Sequence, residues 1–269
     1  MRRIFDSMVN MRFFSDYAKH IIVSRNRHGV HSPFVYALLD EVIYQDASYP
    51  YYKTIETLRN RLKQDQRKIK ITDLGAGSKL NTRQEKRVAQ LAKNALKPAR
   101  IAQLIARIAG RFKPEVIIEL GTCLGITTAY MASASPESEV ISVEGCPETA
   151  KIARENFDML NLQNISLQVG NFDQQLPEIL DRYSKLDFLF IDGNHRKDAT
   201  LTYFKQCLPK IHENTILIFD DIYWSQGMKE AWEEIKAHPK VQVSMDLFYI
   251  GLVFFKTDQA KEHFKIRFY

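Results

Sequence analysis

From residue 116 onward, short apolar runs alternate with amphipathic stretches. Runs rich in β-branched residues fall at 116–120, 139–143, 165–169, 186–191 and 215–219. Between and after them, apolar positions recur every three or four residues at 126–134, 147–160, 174–181, 196–208 and 227–237. The first set predicts strands and the second helices. Regular alternation of the two predicts a parallel, doubly wound α/β sheet. The chain then runs through 241–248 and 250–255, two apolar segments whose connection is too short for a crossover helix, so they pair antiparallel.

The first hundred residues read differently. Ile4, Phe5, Met8, Val9, Phe13, Tyr17, Ala18, Ile21 and Ile22 predict one amphipathic helix or two. Their apolar face must be covered by the main domain, by a second copy in a homodimer, or by a membrane surface. Ser32 is placed to cap a following helix with Pro33 in its first turn. Residues 53–70 read as a charged helix, and 83–96 and 98–112 as two more. The expected division is a mainly helical extension or lid over 1–97 and a ligand-binding α/β domain over 98–269.

Composition narrows the picture. At 269 residues the chain can bury a full core as one large domain plus an extension. No apolar run approaches the roughly 20 residues of a membrane span, and Asp6, Asn10, Arg12 and Asp16 interrupt any leader core. Cys123, Cys146 and Cys207 form no Cys-x-x-Cys, which suits a reducing cytoplasm and offers no zinc site. Charge is asymmetric: residues 1–115 hold 23 Lys+Arg against 10 Asp+Glu, and 116–269 hold 15 against 22. A basic half could face RNA, an anionic membrane or an acidic substrate. No aromatic-basic RNA signature accompanies it, so partial docking against the acidic half is favoured.

The chemistry gathers after the strands. Val116 to Gly125 is a strand, an acid, a glycine turn and the start of a helix, an arrangement that brings backbone close to a nucleotide-like ligand. Glu144, about twenty residues on at the end of the second strand, is placed to accept from two ribose hydroxyls. Cys123 stands where a dinucleotide fingerprint has its second glycine, which argues against NAD and FAD. S-adenosylmethionine has an adenosine and no phosphate, and needs no such glycine. Asp73 to Ser78 imitates this motif, but no second strand ending in an acid follows, and 73–87 reads as an ordered loop near the site's mouth. Asp192 closes the fourth strand and Asp220 and Asp221 the fifth, with His195 three residues after Asp192.

Residues 98–256 resemble the class I S-adenosylmethionine-dependent methyltransferases. The acid–Leu–Gly–three residues–Gly pattern of Glu119 to Gly125 is most similar to the catechol O-methyltransferase-like group. Val30 to Phe34, Asp73 to Ser78 and Asp220 to Ser225 resemble a Bacteroidetes-type subgroup. The resemblance implies a Rossmann-like, seven-stranded sheet with its last strand antiparallel. It also implies that Gly121, Thr122 and Gly125 wrap the methionine part of the cofactor, with Glu119 near its amino group. Glu144, with Gly145 and Cys146 beside it, would hold the ribose. Asn171 would meet the adenine edge and Phe172 its face. Asp192, Asp220 and Asp221 would hold one divalent ion, for which Mg²⁺, Mn²⁺ or Ca²⁺ suit an oxygen ligand set. Asp221 departs from the family's usual Asn, and Asp192 could contact the cofactor instead. His195 stands where the group has a lysine base, and Tyr223 and Trp224 could wall a planar acceptor.

The implied activity is O-methylation of a small hydroxylated substrate, assisted by the metal. Two other classes remain: an RNA-modifying methyltransferase using the basic half, and a non-catalytic module that binds S-adenosylmethionine. The Asn/Asp-Pro-Pro-Tyr motif for base nitrogens is missing, since the fourth strand runs into Asp192-Gly193-Asn194. A nicotinamide oxidoreductase is disfavoured by Cys123 and the antiparallel ending.

Overall fold

The structure is a computed structural model that describes residues 2–72 and 84–268. The chain begins with α1 (Arg2–Val23), α2 (Pro33–Leu38, continued by a wider π turn to Ile43) and α3 (Pro50–Leu62). A two-stranded antiparallel ribbon follows, β1 (Lys68–Ile71) against β2 (Gln84–Arg87). Then come α4 (Val88–Asn94) and α5 (Ala99–Phe112). The α/β part comprises β3 (Val116–Leu120), α6 (Ile126–Ala134), β4 (Glu139–Glu144), α7 (Pro147–Met159), β5 (Ile165–Val169), α8 (Phe172–Asp181), β6 (Leu186–Ile191), α9 (Lys197–Cys207), β7 (Ile211–Asp220) and α10 (Gln226–Ala237). It closes with β8 (Val243–Asp246), β9 (Ile250–Phe254) and β10 (Glu262–Lys265).

The main sheet has the order β10-β8-β9-β7-β6-β3-β4-β5. The strands from β7 to β5 along this order are parallel, and β9 enters antiparallel to both β7 and β8. Eight strands stand where seven were expected: β10 adds at the edge, parallel to β8. Its four residues, Glu-His-Phe-Lys, bury only Phe264, so no apolar run announces it. β7 begins four residues before the expected 215 because His212, Glu213 and Asn214 extend it with polar positions.

Both faces of the sheet are covered, as a period-2 alternation of buried side chains requires. Ile117, Phe188, Phe190, Ile216 and Ile218 pack with Ile101, Leu104, Ile105 and Ile108 of α5. Ile118, Leu120, Leu189, Leu217 and Phe219 point the other way, to α8, α9 and α10 through Leu176, Ile179, Tyr203 and Trp232. Val35, Leu38, Leu39, Val42 and Ile43 join the first face, so the N-terminal helices share the sheet's core. Ser32 does cap α2, accepting from the Val35 N–H.

Two N-terminal expectations fail. The helix expected over 53–70 ends at Leu62, and Lys68–Ile71 is a strand. The helix expected from 83 starts only at Val88, because Gln84–Arg87 pairs with β1. Local charge favoured helix at both places; the cross-strand pairing outweighed it. Residues 73–83 of the expected ordered loop lie outside the described residues. α1 is a single helix across the end of the sheet. His20 is buried, 3.4 Å from Asp246 Oδ1, and Phe13 and Tyr17 meet the Phe248 ring edge to face. Its outer face leaves Met11, Phe14, Ile22 and Val23 exposed. Among the described residues, no helix is long and apolar enough to cross a membrane.

Phe188 is fully buried between the middle of the sheet and α5. Phe188→Ala should cost about 3–5 kcal/mol of unfolding free energy through lost burial and the cavity left behind. Urea denaturation with an unchanged slope would measure it; a loss below about 1 kcal/mol would contradict this packing.

Candidate active site

The order reverses between β3 and β6, and ligands in open α/β sheets bind beyond the strand ends at such a point. Here a cleft of about 810 Å³ opens. Its floor is made by consecutive strand tips: Glu144 at the end of β4, Gly121 after β3, Asp192 after β6 and Asp220 at the end of β7. Three inter-strand spacings of about 4.8 Å separate the first from the last, so the floor spans roughly 14 Å. That length suits a nucleoside with an amino-acid tail and an acceptor beyond it.

The tips are knitted together by backbone. Gly121 N–H donates to Val143 O at 2.9 Å and Asp192 N–H to Leu120 O at 2.8 Å. Gly121 has φ +112, and a Cβ there would lie 2.0 Å from the Asp192 carbonyl oxygen. Close approach of two strand ends therefore demands glycine, before any ligand is considered. Gly125 (φ +76) is buried with its missing Cβ directed at the Phe157 ring, and it sets the start of α6. Left-handed backbone recurs at Cys123, Asn194 and Asp221, one in each loop after β3, β6 and β7. Such conformations cost free energy, and their concentration on one rim marks it as built for a purpose.

At the β4 end of the cleft, the Glu144 carboxylate accepts from Cys123 N–H at 2.8 Å and Cys146 N–H at 2.9 Å. Burial pushes Glu144 up, while these amides pull it back down. Gly145, Asn171 and Phe172 line the same end. The Asn171 carbonyl also caps α8 by accepting from the Asp173 N–H. Glu119 and Thr122, expected as cofactor contacts, lie beneath the loop. Glu119 is wholly buried, accepting from Thr128 Oγ1 and Ser142 Oγ, and its Oε1 has no hydrogen-bond partner. Thr122 is buried with its hydroxyl on Ser142. Burial lifts Glu119 to about 7 against the hydroxyl hydrogen bonds.

At the other end the structure gathers Asp192, His195 and Asp220, whose ligand atoms lie within 4.8 Å of one another. His195 Nε2 is 3.9 Å from Asp192 Oδ1 and 3.8 Å from Asp221 Oδ2. Asp221, in left-handed backbone, faces His195 and stands outside that trio. Trp224 is largely exposed and lines the cleft, together with Tyr249. Tyr223 is turned inward, stacked on Phe248 and donating to Asp246 Oδ2. His28 and His31 are exposed and away from the cleft.

One residue of this site escapes sequence reading altogether. Lys97, in the turn between α4 and α5, reaches across the floor. Its Nζ is 3.0 Å from Asp192 Oδ1 and in direct contact with Asp220 Oδ2. The side chain is 9% exposed, so this is a buried ion pair. Burial disfavours the ammonium, but Asp192, Asp220 and Asp221 together hold its proton far above the ordinary lysine range. Burial likewise raises Asp220, and the touching ammonium opposes that rise. The Lys-Pro step before α5 is the only local hint, and it marks a helix start rather than a function.

Lys97 bears on the metal expected at Asp192, Asp220 and Asp221. A divalent ion within about 4 Å of Nζ would meet repulsion on the order of 8 kcal/mol at an effective dielectric near 20. Asp192 and Asp220, two of the three expected metal ligands, already share the Lys97 ammonium.

A family model described as "Methyltransferase domain" matches residues 118–222. The match runs from β3 to just past the end of β7, 105 of the 269 residues. The chain is 28% identical over 123 residues to a catechol O-methyltransferase of Niastella koreensis, covering 45% of this chain and 53% of that protein. It is 30% identical over 111 residues to the O-methyltransferase imqG of Aspergillus flavus, covering 39% and 44%. The chain thus spans about half the length of the curated relatives it matches. An O-methyltransferase from Bacillus cereus in complex with SAH superposes with a TM-score of 0.56 at 19% identity, over 78% of this chain and 93% of that one.

Glu119 yields a test of this geometry. Its carboxyl is raised from 4.5 to about 7 on folding, so the folded state binds the proton more tightly. The group then costs nothing below pH 4.5, and the penalty grows to about 3 kcal/mol as pH rises through 7. Relative to Glu119→Gln, the ligand-free protein should lose about that much stability between pH 4.5 and 8. Parallel stability curves for the two proteins would refute the burial argument.

Proposed function

We propose that the protein is an S-adenosylmethionine-dependent O-methyltransferase acting on a small hydroxylated molecule. The observation that carries this reading is that Glu144, Gly121, Asp192 and His195 line one cleft across consecutive strand tips. The bound cofactor would supply an electrophilic sulfonium methyl. A carboxylate has about four lone-pair positions and the Cys123 and Cys146 amides use two. Glu144 therefore keeps acceptors for two ribose hydroxyls. Phe172 offers a ring face and Asn171 its amide to the base.

His195 would act as general base. It borders the cleft, with Nε2 3.9 Å from Asp192 Oδ1 and 3.8 Å from Asp221 Oδ2, within reach of an acceptor bound at the carboxylates. Trp224 and Tyr249 would hold the acceptor, and the protein's main contribution would be alignment. In this reading residues 98–269 are the methyltransferase domain, and residues 1–97 form a helical cover that supplies one wall. The reduced cysteines fit a cytoplasmic setting.

Calorimetric titration with S-adenosylhomocysteine should show one site per chain. Glu144→Gln should weaken it about 10- to 100-fold, the worth of one charge-assisted hydrogen bond. Incubation with methyl-labelled S-adenosylmethionine and a panel of phenols and sugars should place label on oxygen. Absence of any S-adenosylhomocysteine binding, or label on RNA alone, would sink the reading.

A further inference from the structure

We propose that the Lys97 ammonium, in place of a divalent metal ion, is the cation of this site, and that it binds the acceptor through a single oxygen. The proposal rests on the methyltransferase reading above and goes beyond it in naming the electrophilic partner of the acceptor oxygen.

Geometry carries the argument. Nζ occupies the point shared by Asp192 and Asp220, the two carboxylates a metal would need first. On another side lies the Phe190 ring, 5.6 Å from Nζ to the ring centre, which stabilises an ammonium and offers nothing to a metal. Lys97 is also fixed from behind. Its carbonyl accepts from Arg59 Nη1 at 2.6 Å, Arg59 is itself buried and held by Glu56, and Pro98 stiffens the next step. A lysine so anchored is a built component of the floor and no wandering surface charge.

The chemistry of an ammonium then sets the acceptor class. Its three N–H donors are directed ones, and Asp192 and Asp220 use two. One remains, enough for one oxygen. A divalent ion held by three carboxylates would keep about three of its six octahedral positions open and could chelate neighbouring oxygens together. The ammonium therefore binds one acceptor oxygen and has no donor left to bridge that oxygen to a second one. As the O–H proton passes to His195 Nε2, the electron pair left on oxygen faces the ammonium. The proton stays in the site, so its net charge does not change.

The test uses the full chain without added ligand. Mn²⁺ is titrated into wild type and Lys97→Gln, and free Mn²⁺ is read by electron paramagnetic resonance. Separately, S-adenosylhomocysteine binding is measured by calorimetry in EDTA and in Mn²⁺. The expected result is no Mn²⁺ uptake by wild type and equal S-adenosylhomocysteine affinity in both buffers. Lys97→Gln should take up one Mn²⁺ per chain, because the carboxylates lose their resident cation. Stoichiometric Mn²⁺ on wild type overturns the proposal, as does a folded Lys97→Gln that takes up none. If melting curves show that Lys97→Gln does not fold, the wild-type titration decides alone. Failure of S-adenosylhomocysteine to bind would strike the methyltransferase reading, and the Mn²⁺ result would still report on Lys97.

Discussion

Parallel strands put their ends side by side, and β6 and β7 each end in an aspartate. Asp192 and Asp220 are thereby forced together where little water reaches them, and Asp220 is almost wholly buried. Two such charges without a counter-ion would be costly enough that one would hold a proton. The chain answers with Lys97, brought from outside the sheet. Because that lysine sits in the turn just before α5, the ion pair also ties the helical N-terminal part to the strand tips. The Arg59 bond to the Lys97 carbonyl extends the link to α3. One electrostatic requirement thus determines both the floor of the cleft and the position of its wall.

The two glutamates on the adjoining strands show how depth separates roles. Glu119 lies one residue before the end of β3 and is sealed under the glycine turn among hydroxyls. Glu144 ends β4 and emerges beside the loop, where two amides hold its oxygens and leave the remaining lone pairs toward the cleft. The residue types are identical and the strands adjacent. What differs is whether the backbone continues past the acid within the sheet or turns away from it. The positive φ at Cys123 performs that turn and aims its N–H at Glu144.

Much of this was legible from residue 116 onward, for a physical reason. Core strands buried on both faces must be continuous apolar runs, and ligand-bearing tips must follow them, so β3 and β6 appear in the sequence at their observed bounds. Edge elements obey no such rule. Lys-Ile-Lys-Ile and Gln-Glu-Lys-Arg make a ribbon only because each finds the other, and that pairing has no local signature. β10 is hidden for the same reason. Lys97 is the extreme case: it resembles every other basic residue of its half, and its partners lie 95 and 123 positions away. The three acids are visible in the sequence, and the cation that the fold delivers between two of them is not.

The charge asymmetry of the chain now has a specific meaning. The basic first half could have served RNA or an anionic surface, and the ion pairs that cross to the acidic half bear on that choice. Arg67 reaches Glu155 of α7 at 2.7 Å. Lys97 reaches Asp192 and Asp220. The first pair is half-exposed and worth little alone. The second is buried, and removing its cation would leave uncompensated carboxylates in the floor of the cleft. Positive charge in the N-terminal half is thus spent, at its most consequential position, inside the protein. A basic residue used in that way cannot also meet a phosphate backbone.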